Sequence, residues 1–383
     1  MRYLFFDIEC CNGRDICEFG YVLTDEYFGI IEKKDIVMNP ENKFTITGRP
    51  DGRDIHLCYT DEFYYSKPKF TAYYNEIKNL IETPDQIIVG HAIANDAKFL
   101  RTACERFNLP YINFEFNDSK KMFQEYFNEP KRISLEHAGE ALEVEKPKYS
   151  HKSDDDSLLT MRFVKKMCEK MEVTLTELID LCPTCSGKII DGNITFTNVE
   201  NRISKWVALA QADENNSIVK KNIKLFHFFL ENVKAKKQTE NSLLYGKKIC
   251  LSLNYELYHF KEMLALIQMI VDCGGKYNLK ASQSDIFVSY DLYDADNNLM
   301  PCSRRKYVDE AISQGKTIQI MSFSELLKLL GTTEENLSQI PFPEESAFIK
   351  KRQPRKQNNN YTDSQSCSGI SIGELLAFAK NNK

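Results

Sequence analysis

Arg2-Tyr3-Leu4-Phe5-Phe6-Asp7-Ile8-Glu9 is an aromatic-rich apolar run closed by two acids one residue apart. Residues 2–8 read as a buried strand. Side chains at i and i+2 of a strand project to the same side, so Asp7 and Glu9 leave it together. Residues 16–23 and 29–38 read as the next two strands, and the short turns between them predict an antiparallel start. The pattern turns helical around 71–82. Gln86-Ile87-Ile88-Val89-Gly90 is a short buried strand, and 93–107 is helical, stopped by Leu109-Pro110. Tyr111–Phe116 reads as a strand, and Asp118–Phe127, Ser134–Leu142 and Asp155–Met171 read as helices. Three strands followed by alternating strand and helix predict an α/β fold, a mixed sheet flanked by helices.

Two further segments carry acids. His91-Ala92-Ile93-Ala94-Asn95-Asp96 places Asp96 in the first turn of a helix, where the helix dipole also favours an acid irrespective of chemistry. His151-Lys152-Ser153-Asp154-Asp155-Asp156 places a histidine in a loop and an aspartate in the following first turn, so that both can face one point; Asp154 reads as a helix cap. Four carboxylates and one histidine suit two divalent ions and the activation of water against a phosphodiester. Hard ions such as Mg²⁺ take oxygen ligands and keep some waters.

In the order and spacing of these segments the chain resembles the DEDD superfamily of 3′→5′ exonucleases, in its histidine-containing branch and in particular the proofreading (epsilon) type. The resemblance runs over roughly residues 1–172, and Asp118-Ser119 and Ser134-Leu135-Glu136 support its register. It implies an RNase H-like sheet, with Asp7, Glu9, Asp96 and Asp156 as metal-site acids and His151 as general base. It further implies two Mg²⁺ (or Mn²⁺) ions, one held by Asp7, Glu9 and Asp156. In the same resemblance Asp7 would also serve the second ion, with Asp96 acting directly or through water. The expected activity is removal of nucleotides from single-stranded or frayed DNA 3′ ends, in repair or replication proofreading. The alternatives are an exoribonuclease on short RNA and an inactive nuclease-fold scaffold. Three departures bear on substrate preference rather than on the ligands. Cys10-Cys11 stands where the family commonly has Thr-Thr, Ala92 where it often has Asn, and Ser153 where it usually has Ala.

Residues 1–173 are thus expected as the exonuclease domain. Residues 174–241 read as a helical, polar connector with a hairpin over 188–196, turned at Asp191-Gly192. Cys182-Pro183-Thr184-Cys185 within it reads either as one knuckle of a zinc site, completed by Cys168 and His227, or as a reduced pair of thiols. Residues 242–331 read as β-α-β-α-β-α. Tyr245-Gly246-Lys247-Lys248, Gly274-Gly275 and Ile318–Leu327 resemble a BRCT domain, although the tryptophan usual in its last helix is missing and the single Trp is Trp206. That resemblance implies a phosphopeptide or DNA-end partner, with Ser252 and Lys306 at the phosphate-contacting places. Residues 332–383 are expected to be mostly disordered, with a basic run over 350–356 and a short helix over 370–380.

The bulk numbers agree with a multidomain globular protein. The chain has 383 residues, 42% of them hydrophobic and 27% charged. A net charge of -5 excludes a uniformly basic nucleic-acid coat but not an acidic site that meets phosphates through metal. Twelve cysteines at irregular spacing, with neither a secretory nor a membrane segment in view, point to reduced thiols in the cytoplasm.

Overall fold

The structure, a computed structural model, describes residues 1–46, 54–127, 134–197, 203–212, 222–236, 243–294 and 296–349. The described residues fall into two compact units. One holds residues 1–167 and 182–197; the other holds Cys168–Leu181 and the described residues between 203 and 349.

The first unit is built on seven strands: β1 (Arg2–Cys10), β2 (Ile16–Asp25), β3 (Ile30–Val37), β4 (Gln86–Gly90), β5 (Phe114–Asp118), β6 (Ser186–Ile190) and β7 (Asn193–Phe196). Their order in the sheet is β3-β2-β1-β4-β5-β6-β7. β1 is the hinge of the topology, pairing antiparallel with β2 and parallel with β4. The antiparallel start therefore forms as the short turns require. The helices are α1 (Asp61–Tyr65), α2 (Phe70–Ile81), α3 (Ala94–Arg106), α4 (Ser119–Phe127), α5 (Leu135–Ala141) and α6 (Ser153–Met171), the last of which runs on into the second unit. Leu4, Phe6 and Ile8 of β1 share one buried cluster with Ile77 and Ile81 of α2 and Ala97 and Leu100 of α3. Burying each of these Leu, Ile and Phe side chains contributes roughly 1.5–3 kcal/mol. Since strand residues alternate sides, Asp7 and Glu9 lie on the opposite face from this cluster.

The expected hairpin forms, with Gly187 opposite Phe196 and Ile190 opposite Asn193. It is not part of a free connector, because β6 pairs antiparallel with β5 and extends the sheet. Ile189, 1% exposed, joins the same core as Phe114 and Phe116.

The second unit has α7 (Leu175–Leu181), α8 (Ile203–Ala212), α9 (Ile223–Asn232) and a four-stranded sheet. Its strands are β8 (Lys248–Leu251), β9 (Lys276–Tyr277), β10 (Ile286–Ser289) and β11 (Gln319–Ser322), in the order β11-β10-β8-β9 with every pairing parallel. Parallel neighbours need helical crossovers. These are α10 (Leu253–Tyr258) and α11 (Phe260–Asp272) between β8 and β9, and α12 (Ser303–Ser313) between β10 and β11. Helix α13 (Phe323–Leu330) follows, with a reciprocal capping box between Ser322 and Glu325. Order does not end at Gly331, as the sequence suggested. Helix α14 (Glu334–Gln339) and a short turn at Glu345–Phe348 follow, because Leu337, Phe342 and Phe348 are buried in the core that also holds Trp206 and Phe260. The basic run over 350–356 and the helix expected over 370–380 lie outside the described residues.

Candidate active site

Three elements of the first unit deliver the acids to one place. β1 carries Asp7 and Glu9. α3 carries Asp96, whose Oδ1 accepts the main-chain N–H of Ile8 at 3.1 Å, on the rung between those two acids. The loop before α3 is fixed from another side. Asp118, at the end of β5, accepts the N–H of Ala92 at 2.9 Å and that of Lys120 at 3.0 Å, tying this loop to the start of α4.

The start of α6 carries the last two groups. Its N-terminal backbone rests on β2 at Gly20, which pairs with Asp7 across the hairpin. A Cβ at Gly20 would lie 2.0 Å from the Asp154 nitrogen, so only glycine permits this approach. His151 just precedes the helix with φ of 54°, in the left-handed region. Its Nδ1 lies 3.5 Å from Glu9 Oε1. Glu9, His151 and Asp156 each offer one ligand atom within 4.8 Å of the others.

The electrostatics are those of crowded, poorly solvated acids. The Asp7 carboxyl is held well above the usual range by burial and then by Asp96, Glu9 and Asp156. Burial also raises Asp96, against the lowering effect of its hydrogen bond from Ile8. Asp156 is pushed up to about 7 by burial and by Glu9. His151 is raised, chiefly by its hydrogen bond to Glu9. Among the described residues no Lys or Arg forms an ion pair with these four carboxylates. Buried acids without a counter-charge are what a divalent cation would neutralise, so this donor set fits hard-cation binding.

The other candidates are not brought together in this way. Cys182 and Cys185 are both buried. The Cys182 thiol faces the Met122 carbonyl at 3.8 Å, and the Cys185 thiol faces Asn117 Oδ1 at 3.8 Å. Among the described residues Glu9, His151 and Asp156 are the one group of three or more His, Cys, Asp or Glu placed to share an ion. That group includes none of Cys168, Cys182, Cys185 and His227. Ser252 is fully buried, its hydroxyl directed to the Cys302 sulfur at 3.2 Å, whereas the Lys306 side chain is 69% exposed on α12. A phosphate pocket made by that pair is not what the fold presents.

Sequence reasoning did not single out Glu18. It sits opposite Glu9 in the β1–β2 register and is wholly buried. Its Oε2 accepts the Ser153 N–H at 3.1 Å and the Ser153 hydroxyl at 3.3 Å, and its Oε1 accepts the Tyr64 hydroxyl. The available signal was a lone acid inside the apolar strand Ile16-Cys17-Glu18-Phe19-Gly20-Tyr21-Val22.

Residues 4–164 match the family described as RNase_T, exonuclease. Among curated proteins none matches the chain. Solved structures to which the chain is similar include a 3′-exonuclease recognising the 3′ end of the histone mRNA stem-loop, at 15% identity and a TM-score of 0.41, covering 52% of this chain and 92% of that one. Exonuclease X in complex with 5′ overhanging duplex DNA is 16% identical with a TM-score of 0.36, covering 47% and 97%. E. coli exonuclease I with a dT13 oligonucleotide is 18% identical with a TM-score of 0.36; the match covers 44% of this chain and 41% of that larger one. Over residues 4–164 the chain thus carries the sequence pattern of an exonuclease domain.

Proposed function

We propose that the protein removes nucleotides one at a time from DNA 3′ ends, using Asp7, Glu9, Asp96 and Asp156 as metal ligands and His151 as general base. The observation that carries this reading is the approach of Glu9, His151 and Asp156 to one point, beside buried Asp7 and Asp96. Two divalent ions, Mg²⁺ or Mn²⁺, would supply Lewis-acid stabilisation of the attacking and leaving oxygens. The residues do the rest. Glu9 faces Nδ1 of His151 at 3.5 Å and fixes the ring, leaving Nε2 to take the proton of the attacking water. A positioned base of this kind contributes typically ~10²–10⁴-fold. Asp96 ties its helix to β1 through Ile8 and so keeps its carboxylate in register with Asp7 and Glu9.

The preference for DNA rests on the likeness to proofreading exonucleases, and the place of action would be replication or repair in the cytoplasm. The second unit, with its β11-β10-β8-β9 parallel sheet, reads as a BRCT-like module over 242–331 that brings the nuclease to a protein or DNA-end partner.

Oligonucleotides of DNA and of RNA labelled at the 3′ end, incubated with Mg²⁺ or Mn²⁺, test both chemistry and substrate. Stepwise release from DNA by the wild type, absent in Asp7→Ala and His151→Ala, is the expected result. Faster release from RNA would move the assignment to an exoribonuclease. No release by the wild type from either would leave a nuclease fold acting as scaffold.

A further inference from the structure

His151 stands where neither packing nor backbone preference would hold it. Its side chain is 47% exposed, and its φ of 54° is one a histidine adopts at a cost. Such a conformation persists only when the surroundings determine it. Two carboxylates outside the metal-ligand set provide that determination. Two residues before His151, the N–H of Tyr149 donates to Asp155 Oδ2 at 3.2 Å. Two residues after it, the N–H of Ser153 donates to Glu18 Oε2 at 3.1 Å.

Both carboxylates are themselves held. Asp155 Oδ1 is 2.6 Å from the Lys33 ammonium on β3. Glu18 Oε1 takes the Tyr64 hydroxyl from α1, and the Ser153 hydroxyl reaches both Glu18 Oε2 and Asp35 Oδ1, at 3.3 and 3.2 Å. The loop is therefore gripped on each side of the histidine by groups rooted in the sheet. Glu18 also lies directly opposite Glu9, the residue His151 must meet. A shift of Ser153 relative to Glu18 is thus a shift of His151 relative to Glu9.

We propose that Glu18 and Asp155 are positioning residues for His151, clamping the backbone on both sides of it so that its ring is presented to Glu9. This rests on the reading of His151 as general base. Neither residue need touch substrate, since the carboxylate oxygens of both are engaged by Ser153, Tyr64, Tyr149 and Lys33.

The test is a double-mutant cycle on single-turnover hydrolysis of a 3′-labelled DNA strand with Mn²⁺, using the full chain and measuring melting temperature for each variant. E18A and D155A should each lower the rate about 10- to 100-fold, within the contribution of one positioned base, with KM changed by less than about twofold. In the H151A background neither should cost anything further, because the group they position is gone. E18Q, which keeps an acceptor for Ser153, should restore most of the rate. If E18A does not fold, D155A and E18Q carry the same cycle. Unchanged rates in E18A and D155A would overturn the proposal. So would an equal further loss in the H151A background, which would mark a purely structural role. H151A with wild-type turnover would instead sink the general-base reading itself, and that single variant reveals it without reference to the other two.

Discussion

Asp96 Oδ1 accepts the main-chain N–H of Ile8 at 3.1 Å, so a helix residue is bonded into the strand between the two acids it must accompany. The bond gives Asp96 two separable roles, an acceptor that fixes α3 on β1 and a charge in a crowded, buried site. Asp96→Asn keeps an acceptor and removes the charge. It should lower turnover by at least about 100-fold, about 2.7 kcal/mol of barrier. In divalent-free buffer it should melt higher than the wild type, since the repulsion around Asp7 is relieved. Asp96→Ala loses the acceptor as well and should melt below Asp96→Asn. Thermal melts of the three proteins in EDTA decide the matter, and equal melting of both variants would remove the Ile8 bond from the account.

Asp7 is crowded, raised by burial and by three neighbouring carboxylates of the site. Metal should therefore stabilise the fold visibly. Ligand at 100 times its Kd adds about 2.7 kcal/mol, a rise of several degrees in melting temperature. Asp7→Asn should melt higher than wild type without metal, lose most of the rise on adding Mg²⁺ or Mn²⁺, and show no hydrolysis. A full metal-induced rise in Asp7→Asn would place the ions elsewhere.

Gly20 is where α6 meets β2, and a methyl group there would collide with the Asp154 nitrogen and the Ser153 carbonyl carbon, at 2.0 and 2.1 Å. Both are backbone, so nothing can swing aside. Gly20→Ala should push the start of α6, and His151 and Asp156 with it, away from β1. A destabilisation of about 1–3 kcal/mol, in the range of overpacked cores, should accompany a fall in turnover of at least about tenfold. Chemical denaturation and the nuclease assay on one preparation measure both; wild-type values for either would mean the helix start is looser than its packing implies.

Much of this was legible in the residues. The period-2 run of β1 gave the shared side of Asp7 and Glu9, and the short turns gave the antiparallel start. The segments around Asp96 and Asp156 gave the other acids and the histidine that the fold brings beside β1. What the sequence hid was tertiary. Glu18 looked like a stray charge because its partners, Tyr64 and Ser153, lie 46 and 135 residues away. The hairpin over 186–196 looked like a connector because pairing with β5 leaves no local mark. Leu337, Phe342 and Phe348 lie among Pro, Glu and Ser without helical or strand period, so their burial beside Trp206 could not be read from spacing. Ser252, placed by the resemblance at a phosphate contact, is buried with Cys302 against its hydroxyl, a packing that spacing does not reveal.

In the second unit Arg304 and Glu256 form a buried pair. Arg304 Nη1 donates to Glu256 Oε1 at 2.6 Å and to the Leu251 carbonyl at 2.7 Å, Nη2 donates to Oε2 at 3.2 Å, and Tyr277 donates its hydroxyl to Glu256 as well. Removing one partner strands a charge in a dry core. Arg304→Ala should therefore cost about 3–5 kcal/mol, while the paired change Glu256→Leu with Arg304→Met should recover a large part of that loss. Urea denaturation of the three proteins tests this, and a double variant no better than Arg304→Ala would show that the pair is needed for more than charge balance.

Glu18 makes the stability of the metal-free protein depend on pH. Burial, and then the charge of Asp35, push its carboxyl from 4.5 up to about 8. The folded protein thus holds this proton more tightly than the unfolded chain. Its stabilising contribution is fully present below about 4.5, declines as pH rises, and is exhausted above about 8. Between those limits one such group changes stability by about 1.4 kcal/mol per pH unit. Asp7, Asp96 and Asp156 are raised as well and tilt the wild-type curve the same way, so the comparison must isolate Glu18. Glu18→Gln removes its titration and leaves theirs. In EDTA the two proteins should differ in stability by a constant amount at acid pH, with the variant gaining steadily on the wild type from about pH 5 to 8 and the gap flattening above. Denaturation midpoints taken at half-unit pH steps measure it. Parallel curves across that window would mean that Glu18 stays ionised in the fold, held by Tyr64 and Ser153 more strongly than burial opposes it.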